Sequence, residues 1–467
     1  MVGYVSSRGG VPPCDFEQAL LDGLAADGGL YLPETWPRLE RDWLEDLRGA
    51  SYQEVAATVL APFVEGALTE TELRGLIDRA YAGFDHVAVA PLRQLDANDW
   101  LLELFHGPTL AFKDIALQLL GHLFEHFLAK RGRSVTIVGA TSGDTGAAAI
   151  EAFAGRERTT VVILHPHGRI SEAQRRQMTT VDAPNVHNIA IEGTFDDCQA
   201  LLKAMFDDQT FRARLQLAAV NSINWARVAA QAVYYVTAGL ALGAPWRRLA
   251  FAVPTGNFGD VYAGYAAAQI GLPIAQLIVG TNRNDILARF FATGRYRAGE
   301  VHPTMSPSMD IQVASNFERL LYDLCGRDGD QVRRLMAGFA QRGELSVPAD
   351  GLGLARELFD AASADEEETA ATMAEVLRAT GELVDPHSAV GIRVGRQCRL
   401  DPATPLVCLA TAHPAKFPEA VQRATGVRPS LPARLADLHQ RAERFDVLPN
   451  DLCAVQNHIQ RAVTAKA

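Results

Sequence analysis

The first 95 residues carry hydrophobic side chains at helical spacing. In the segments DFEQALLDGLAADG (15–28) and SYQEVAATVLAPFV (51–64), apolar residues recur every three or four positions. This period places them on one face of an α-helix, where they pack against a core. The pattern predicts a mainly helical N-terminal domain over residues 1–95.

From Trp100 onward, short apolar runs alternate with helical segments. The runs include SVTIVGA (134–140), TTVVILHP (159–166), RLAFAVP (248–254) and IAQLIVG (274–280). Strands that alternate with helices predict right-handed crossovers and mostly parallel sheets covered by helices on both faces. The predicted fold class is therefore α/β.

Two later segments complete the predicted architecture. Residues 305–378 are rich in charge and helical in pattern, with no strand signal, so we expect a helical insertion there. The apolar run PLVCLATAH (405–413) reads as a final strand. We expect it to rejoin the sheet, because an isolated apolar strand has nothing to pair with.

The composition indicates a soluble globular protein and restricts its partners. Hydrophobic residues make up 48% of the 467 positions, and 44 Lys and Arg against 55 Asp and Glu give a net charge of −11. An acidic total disfavours nucleic-acid binding. The uncharged stretch 228–246 contains Gln, Tyr and Gly residues, so we expect a buried helix ending near Gly243 and no membrane span. Scattered cysteines, no zinc spacing and no secretory signal predict a cytoplasmic protein without a metal.

Two strand-to-helix turns are candidate anion sites. In an open parallel sheet, ligands bind beyond the carboxyl ends of the strands. The turns are TSGDTG (141–146) and PTGNFGD (254–260), and both offer small residues and amides at a helix start, which favour an anion. The alternative for TSGDTG is an ordinary turn with Asp144 or Thr145 as the helix N-cap. In PTGNFGD we expect Asp260 to cap the helix and face away from an anion.

A third segment, FHGPTLAFKD (105–114), opens a helix and contains Lys113 between apolar neighbours. Desolvation lowers the pKa of a lysine and makes its amine a nucleophile that forms Schiff bases. The alternative is a lysine that pairs with Asp114 or reaches solvent.

In this order, the three segments resemble those of the pyridoxal-phosphate enzymes of the tryptophan-synthase-β fold (fold type II), and specifically the threonine synthases of the longer class. The resemblance spans nearly the whole chain and includes YVSSRG (4–9), HGRISEAQRRQMTT (167–180), NSINWARVAAQ (221–231), DPHSAVG (385–391) and TAHPAKF (411–417). It implies a smaller α/β lobe over residues 96–240 that carries Lys113 and TSGDTG. A larger lobe over residues 241–467 would carry the GNFGD loop and the insertion.

The resemblance also implies roles toward the cofactor pyridoxal 5'-phosphate. Lys113 would be the catalytic residue, which binds the cofactor as a Schiff base and then moves protons at the substrate carbons. The Thr411 hydroxyl would face the pyridine nitrogen. The cofactor phosphate would be held by the backbone of Gly256, Asn257, Phe258 and Gly259.

The substrate implied by the resemblance is O-phospho-L-homoserine, which carries two anionic groups. Its carboxylate would be bound by the TSGDTG turn, that is, by Thr141, Ser142, Gly143, Asp144 and Thr145. Its phosphate would be bound by Ser222, Asn224 and Arg227, since arginine suits bidentate phosphate binding.

The implied activity is that of a threonine synthase, a carbon-oxygen lyase that converts O-phospho-L-homoserine and water to L-threonine and phosphate by β,γ-replacement. This reaction is the last step of threonine biosynthesis. An eliminating lyase of the same fold (a dehydratase or phospholyase) and a catalytically silent cofactor-binding paralogue are the alternatives. We expect a small-molecule partner only, and a monomer or homodimer.

Overall fold

The computed structural model describes residues 2–39, 41–141, 143–219 and 221–464. The chain divides into two compact units. The first unit comprises Met1–Phe112 and Ser222–Pro429, and the second comprises Lys113–Asn221 and Ser430–Ala467. The predicted division at residues 95 and 240 does not coincide with these units, and it stays a prediction.

The strands of the described residues are β1 (Tyr4–Ser6), β2 (Tyr31–Pro33), β3 (Leu92–Gln94), β4 (Asp99–Glu103), β5 (Val135–Ala140), β6 (Thr159–Pro166), β7 (Val186–Glu192), β8 (Leu217–Ala218), β9 (Leu249–Pro254), β10 (Ile274–Thr281), β11 (Arg295–Arg297), β12 (Glu344–Ser346), β13 (Phe359–Ser363), β14 (Leu406–Ala410) and β15 (Asp446–Pro449).

The helices of the same residues are α1 (Phe16–Asp22), α2 (Arg41–Asp46), α3 (Tyr52–Val64), α4 (Glu70–Tyr81), α5 (Lys113–Arg131), α6 (Asp144–Phe153), α7 (Glu172–Thr179), α8 (Phe195–Asp207), α9 (Gln209–Leu215), α10 (Trp225–Ala241), α11 (Gly259–Gln269), α12 (Ile286–Thr293), α13 (Phe317–Leu324), α14 (Gly329–Arg342), α15 (Ala349–Arg356), α16 (Glu366–Thr380), α17 (Pro386–Cys398), α18 (Pro418–Thr425) and α19 (Leu452–Thr464). Short 3-10 helices cover Pro307–Met309, Pro414–Lys416, Ala433–Leu435 and Leu438–Gln440.

The N-terminal region is mainly helical, as its hydrophobic pattern predicts. Two of its helices begin with capping boxes, in which Ser51 and Glu54 start α3 and Thr69 and Glu72 start α4. Each box satisfies amide groups that a helix start leaves without an intrahelical partner. Strands β1 and β2 form a small antiparallel pair in the same region.

The first unit contains a six-stranded sheet in the order β13-β10-β9-β14-β4-β3. All neighbours are parallel except β3 and β4. Strand β14 lies between β9 and β4, which confirms that the run at 405–413 rejoins the sheet. The absence of strands predicted for residues 305–378 is wrong, because β12 and β13 lie there. Strand β13 was hard to predict because its sequence, FDAAS, has no β-branched residue. The strand lies at the edge of the sheet.

The second unit contains a five-stranded parallel sheet in the order β15-β7-β6-β5-β8. Every residue of the central strand β6 is buried, which explains its continuous apolar sequence. The C-terminal strand β15 adds an exposed edge that no alternation in the sequence indicated. The two sheets, mostly parallel and covered by helices, confirm the α/β fold class.

Helix α10 covers the uncharged stretch of the sequence. It ends at Ala241, two residues before the predicted end at Gly243, and most of its side chains are buried. Over the described ranges, no helix combines the length and the apolar character that crossing a membrane requires.

Candidate active site

The turn PTGNFGD connects β9 to α11 and has an unusual helix start. Phe258, which precedes α11, has a left-handed backbone with φ of 63°, a conformation that is rare for a bulky residue. Its buried ring packs against Phe291, Phe317 and Phe359, which offsets a backbone cost of about 1–2 kcal/mol. No side chain of the described residues caps α11. The turn therefore offers its amide groups at the positive end of a helix.

Asp260 does not cap α11, so that expectation is wrong. Its carboxylate accepts hydrogen bonds from the hydroxyls of Tyr234 and Tyr235, the latter at 2.9 Å. These two buried tyrosines belong to α10 and attract the carboxylate away from the helix start. The negative charge is thereby bound by α10 rather than by the amides of the turn.

Glycines let another segment approach the PTGNFGD turn closely. A Cβ atom at Gly256 would lie 2.9 Å from the carbonyl oxygen of Ser308, and one at Gly259 would lie 3.1 Å from Nδ2 of Asn316. The backbone N–H of Ser308 donates to Nε2 of His387 (3.2 Å), and Nδ1 of His387 lies 2.7 Å from Oδ2 of Asp385. The DPHSAVG motif thus anchors the segment that packs on Gly256.

The turn TSGDTG connects β5 to α6 and is organised by its own side chain. Oγ1 of Thr141 accepts hydrogen bonds from the amides of Gly143 (3.0 Å) and Gly146 (2.9 Å). Gly143 has φ of 148° and ψ of −91°, which only glycine adopts without strain, and it is the N-cap of α6. The alternative in which Asp144 or Thr145 is the N-cap is therefore wrong. Ser142 lies outside the described residues.

Lys113 is the first residue of α5 and is buried, with 9% exposure. Its Nζ lies 3.7 Å from Oδ2 of Asp144, the first residue of α6. Oδ1 of Asp144 accepts a hydrogen bond from Nε2 of Gln174 (2.9 Å). The alternative in which Lys113 reaches solvent is wrong, because the helix start and the TSGDTG turn bury its amine beside a carboxylate.

The start of α10 gathers the residues predicted to bind the substrate phosphate. Asn224 is the N-cap: its Oδ1 accepts from the amide of Ala226 (3.0 Å), and its Nδ2 donates to the carbonyl of Leu20 (2.8 Å). Arg227 is almost fully buried, and burial lowers its pKa to about 10. Among the residues that the structure describes, its Nε and Nη1 have no hydrogen-bond acceptor. A buried guanidinium in this state is costly unless an anion compensates its charge.

Thr411 follows β14 directly and is buried, with 7% exposure. Its carbonyl accepts a hydrogen bond from the amide of Phe112 (2.8 Å), while within the described part of the chain its hydroxyl has no protein partner. Two residues further on, burial lowers the pKa of His413 to about 4, so this imidazole is neutral at pH 7. The motif TAHPAKF also contains Lys416, which is buried and donates to the carbonyl of Thr109 (2.6 Å).

Two residues that contact these turns were not predicted from the sequence. Gln174 belongs to a recognised motif, and its place three residues after the N-cap Ser171 was a signal that the side chain faces a helix start. Asn316 lies in the insertion, and nothing in its local sequence distinguishes it. Its contacts with Asn257 and Ser222 arise from tertiary packing.

Each unit, taken by itself, has features that fit part of pyridoxal phosphate. The first unit has a glycine-lined turn of amides that suits a phosphate group, and an unpartnered Thr411 hydroxyl that suits a ring nitrogen. The second unit has a buried lysine amine that suits an aldehyde. The donor set therefore fits this cofactor.

Comparison with known proteins agrees along the whole chain. Residues 3–81 match the family described as "Threonine synthase N terminus", residues 84–342 match "Pyridoxal-phosphate dependent enzyme", and residues 388–459 match "Threonine synthase, C-terminal". The threonine synthase of Pseudomonas aeruginosa is 56% identical over 459 residues, which cover 98% of each chain.

Solved structures show the same similarity. The pyridoxal-phosphate-bound threonine synthase from Brucella melitensis superposes with a TM-score of 0.97 at 53% identity, covering 99% of each chain. The threonine synthase from yeast superposes with a TM-score of 0.95 at 37% identity, again covering 99% of each chain.

Proposed function

Because the chain belongs to the threonine synthase family of pyridoxal-phosphate enzymes, we propose that it converts O-phospho-L-homoserine and water to L-threonine and phosphate. Its cofactor is pyridoxal phosphate. The observation that carries the proposal is the buried Lys113 amine, 3.7 Å from the Asp144 carboxylate at an anion-binding turn. A lysine in this setting binds an aldehyde and moves protons.

When bound, pyridoxal phosphate supplies a conjugated electron sink for negative charge at the substrate's α and β carbons. Lys113 attaches the cofactor in the resting enzyme. During the reaction its Nζ takes the proton from the α carbon and gives it up before it takes a second one from the β carbon. After phosphate leaves the γ carbon and water adds at the β carbon, protons return to the α and γ carbons. The Asp144 carboxylate stabilises the ammonium form of Lys113 between these transfers.

The remaining predicted residues bind and orient the anionic groups. The amides from Gly256 to Gly259 bind the cofactor phosphate, and the Thr411 hydroxyl faces the ring nitrogen. The substrate carboxylate lies at the TSGDTG turn. There Gly143 adopts a backbone conformation that only glycine reaches without strain, and no side chain caps the helix start in the described residues.

The substrate phosphate is bound by Arg227, with Ser222 and Asn224 at the same helix start. The buried guanidinium supports this role, because an anion compensates its charge. The carboxamide of Asn224 makes one hydrogen bond at each end, so its contribution comes from the second N–H of its Nδ2 or from its backbone N–H. We infer that the remaining predictions hold as well: a cytoplasmic enzyme, monomeric or homodimeric, with no nucleic-acid partner. The net charge of −11 supports the last point.

Incubation of the purified holoenzyme with O-phospho-L-homoserine tests the proposal. We expect threonine and inorganic phosphate in equal amounts, and no turnover of L-homoserine, which lacks the phosphate leaving group. A keto acid and ammonia in place of threonine would instead identify an eliminating lyase, and no product at all would identify a silent paralogue. O-phospho-L-serine, one carbon shorter, serves as a further probe for a phospholyase.

A further inference from the structure

We propose that Asn316 is a positioning residue that holds the backbone of both phosphate-binding segments of the first unit, the PTGNFGD turn and the start of α10. The inference rests on the proposed function, because it takes these segments as the sites of the cofactor phosphate and the substrate phosphate. Asn316 itself touches neither phosphate in this proposal. It acts through the carbonyl groups behind the amides.

Asn316 immediately precedes α13 and is completely buried. Its backbone N–H donates to the carbonyl of Asn257 (3.0 Å). Its Nδ2 donates to the same carbonyl (3.2 Å) and to the carbonyl of Ser222 (3.2 Å). One side chain therefore joins two segments that are 35 residues apart in sequence, since 257 − 222 = 35.

Fixing these carbonyls also fixes the amides that follow them. A peptide unit is planar and trans, so its N–H points away from its C=O. The carbonyl of Asn257 shares its peptide unit with the N–H of Phe258, and the carbonyl of Ser222 shares its unit with the N–H of Ile223. Hydrogen bonds to the two carbonyls hold each of the two peptide units in a fixed orientation, which preorganises the N–H of Phe258 for an anion and fixes the backbone that leads into α10.

Arg319 determines which way the Asn316 carboxamide points. Its guanidinium donates to Oδ1 of Asn316, to the carbonyl of Ile223, and to the carbonyl of Tyr31 at 3.0 and 2.9 Å. The carboxamide oxygen must face this cation, so the NH₂ group must face the two carbonyls. The guanidinium is fully buried and lies 5.8 Å from the centre of the Trp225 ring, which restricts its movement. The orientation of Asn316 is thus set by charge.

The test is Asn316→Asp, which keeps the shape and the acceptor for Arg319 but replaces the NH₂ donor by an oxygen that repels both carbonyls. Apo-protein is titrated with pyridoxal phosphate and followed by visible absorption. We expect the cofactor Kd to rise about tenfold or more. In the holoenzyme at saturating cofactor, we expect the KM for O-phospho-L-homoserine to rise more than kcat falls.

Asn185→Asp is the matched control. Asn185 is also buried, and its Nδ2 donates to the carbonyls of Phe153 (2.8 Å) and Thr159 (3.0 Å), which belong to neither segment. We expect this variant to lower the unfolding temperature while the cofactor Kd stays within about twofold. If Asn316→Asp lowered the unfolding temperature equally and left both Kd and KM unchanged, its role would be structural only and the proposal would be overturned.

Asn316→Ser decides the matter if the aspartate variant does not fold. Serine brings no charge and keeps one hydroxyl donor, so we expect smaller rises in cofactor Kd and in KM, of about threefold each. Unchanged values for both constants would overturn the proposal. The cofactor titration uses no substrate, so it is independent of the proposed reaction: a wild-type protein that makes no threonine contradicts the function, not the positioning of the cofactor turn.

Discussion

The turns TSGDTG and PTGNFGD both lead from a parallel strand into a helix, and neither helix is capped by a side chain. Their support differs. TSGDTG is organised locally, because the Thr141 hydroxyl accepts two amide hydrogen bonds from within the turn. PTGNFGD is organised from outside, by the segment around Ser308, by Asn316 and by the rings around Phe258.

This difference matches what each turn offers to chemistry. The locally organised turn leaves the Asp144 carboxylate beside the Lys113 amine, where we propose that protons are moved. The externally supported turn offers rigid backbone amides, and its one carboxylate, Asp260, is bound by tyrosines of α10. A proton-transfer site needs side chains, whereas a phosphate site needs fixed amides. The comparison predicts that damage to the two turns has different kinetic signatures.

Lys113→Ala should have the largest effect, because it removes the amine that TSGDTG supports. We expect kcat/KM to fall by at least about 10³-fold, since nucleophile and base are lost together. The visible absorption of the bound cofactor should change as well, which a spectrum of the purified variant measures. Lys203→Ala, at an exposed position of α8, is the control and should behave as wild type. Normal threonine formation by Lys113→Ala would contradict the assignment.

Gly143→Ala should damage the TSGDTG turn selectively. A Cβ there would lie 2.6 Å from the carboxamide of Gln174, and φ of 148° is strained for alanine. We expect kcat/KM to fall about 10- to 100-fold, with cofactor affinity nearly unchanged. Gly155→Ala is the control, since its φ is also positive (73°) but its Cβ would meet open space. An equal loss in both variants would show that backbone strain alone is responsible.

Gly256→Ala should give the opposite signature. The added Cβ would meet the Ser308 carbonyl at 2.9 Å and push the PTGNFGD turn away from its support. We expect the cofactor Kd, measured by titration of the apo-protein, to rise about tenfold, while kcat at saturating cofactor changes little. Gly353→Ala, a helical position with open space, should leave Kd unchanged. A loss of kcat without a change in Kd would remove the distinction between the two turns.

The smallest expected effect concerns the pH dependence of stability in the second unit. Burial lowers the pKa of His165, at the end of β6, to about 4 from an ordinary value of 6.5. Between these values the unfolded chain binds more protons than the folded one, so the free energy of unfolding falls as pH decreases from 6.5 to 4. His165→Phe should reduce this loss by about 2 kcal/mol at pH 5.

Denaturant unfolding at pH 7 and pH 5 measures this change. The neighbouring carboxylate of Glu443 contributes little between pH 7 and pH 5. The hydrogen bond from Arg175 lowers its pKa from 4.5 to about 2, so its contribution to stability is lost mainly below pH 4.5. An equal loss of stability in wild type and His165→Phe would show that His165 is not the group that titrates.

Several parts of the fold and site were predictable because their causes are local. The continuous apolar sequence of β6, β9 and β10 predicts these buried strands. Lys113 was recognised because it opens an apolar helix. Other parts have distant causes. The sequence suggests that Asp260 caps a helix, but its carboxylate instead accepts hydrogen bonds from Tyr234 and Tyr235. Strand β13 forms because it pairs with β10, which lies far away in the sequence.

By itself, the sequence determined the α/β alternation, the positions of the two turns, the lysine and the family. These features follow from hydrophobic period, glycine placement and motif order, which act over a few residues. Only the tertiary structure decided that Phe258 adopts a left-handed backbone, that Gln174 bonds Asp144, and that Asn316 joins Asn257 to Ser222. The physical reason is that a buried polar group must find a partner, and packing brings partners together from any distance along the chain.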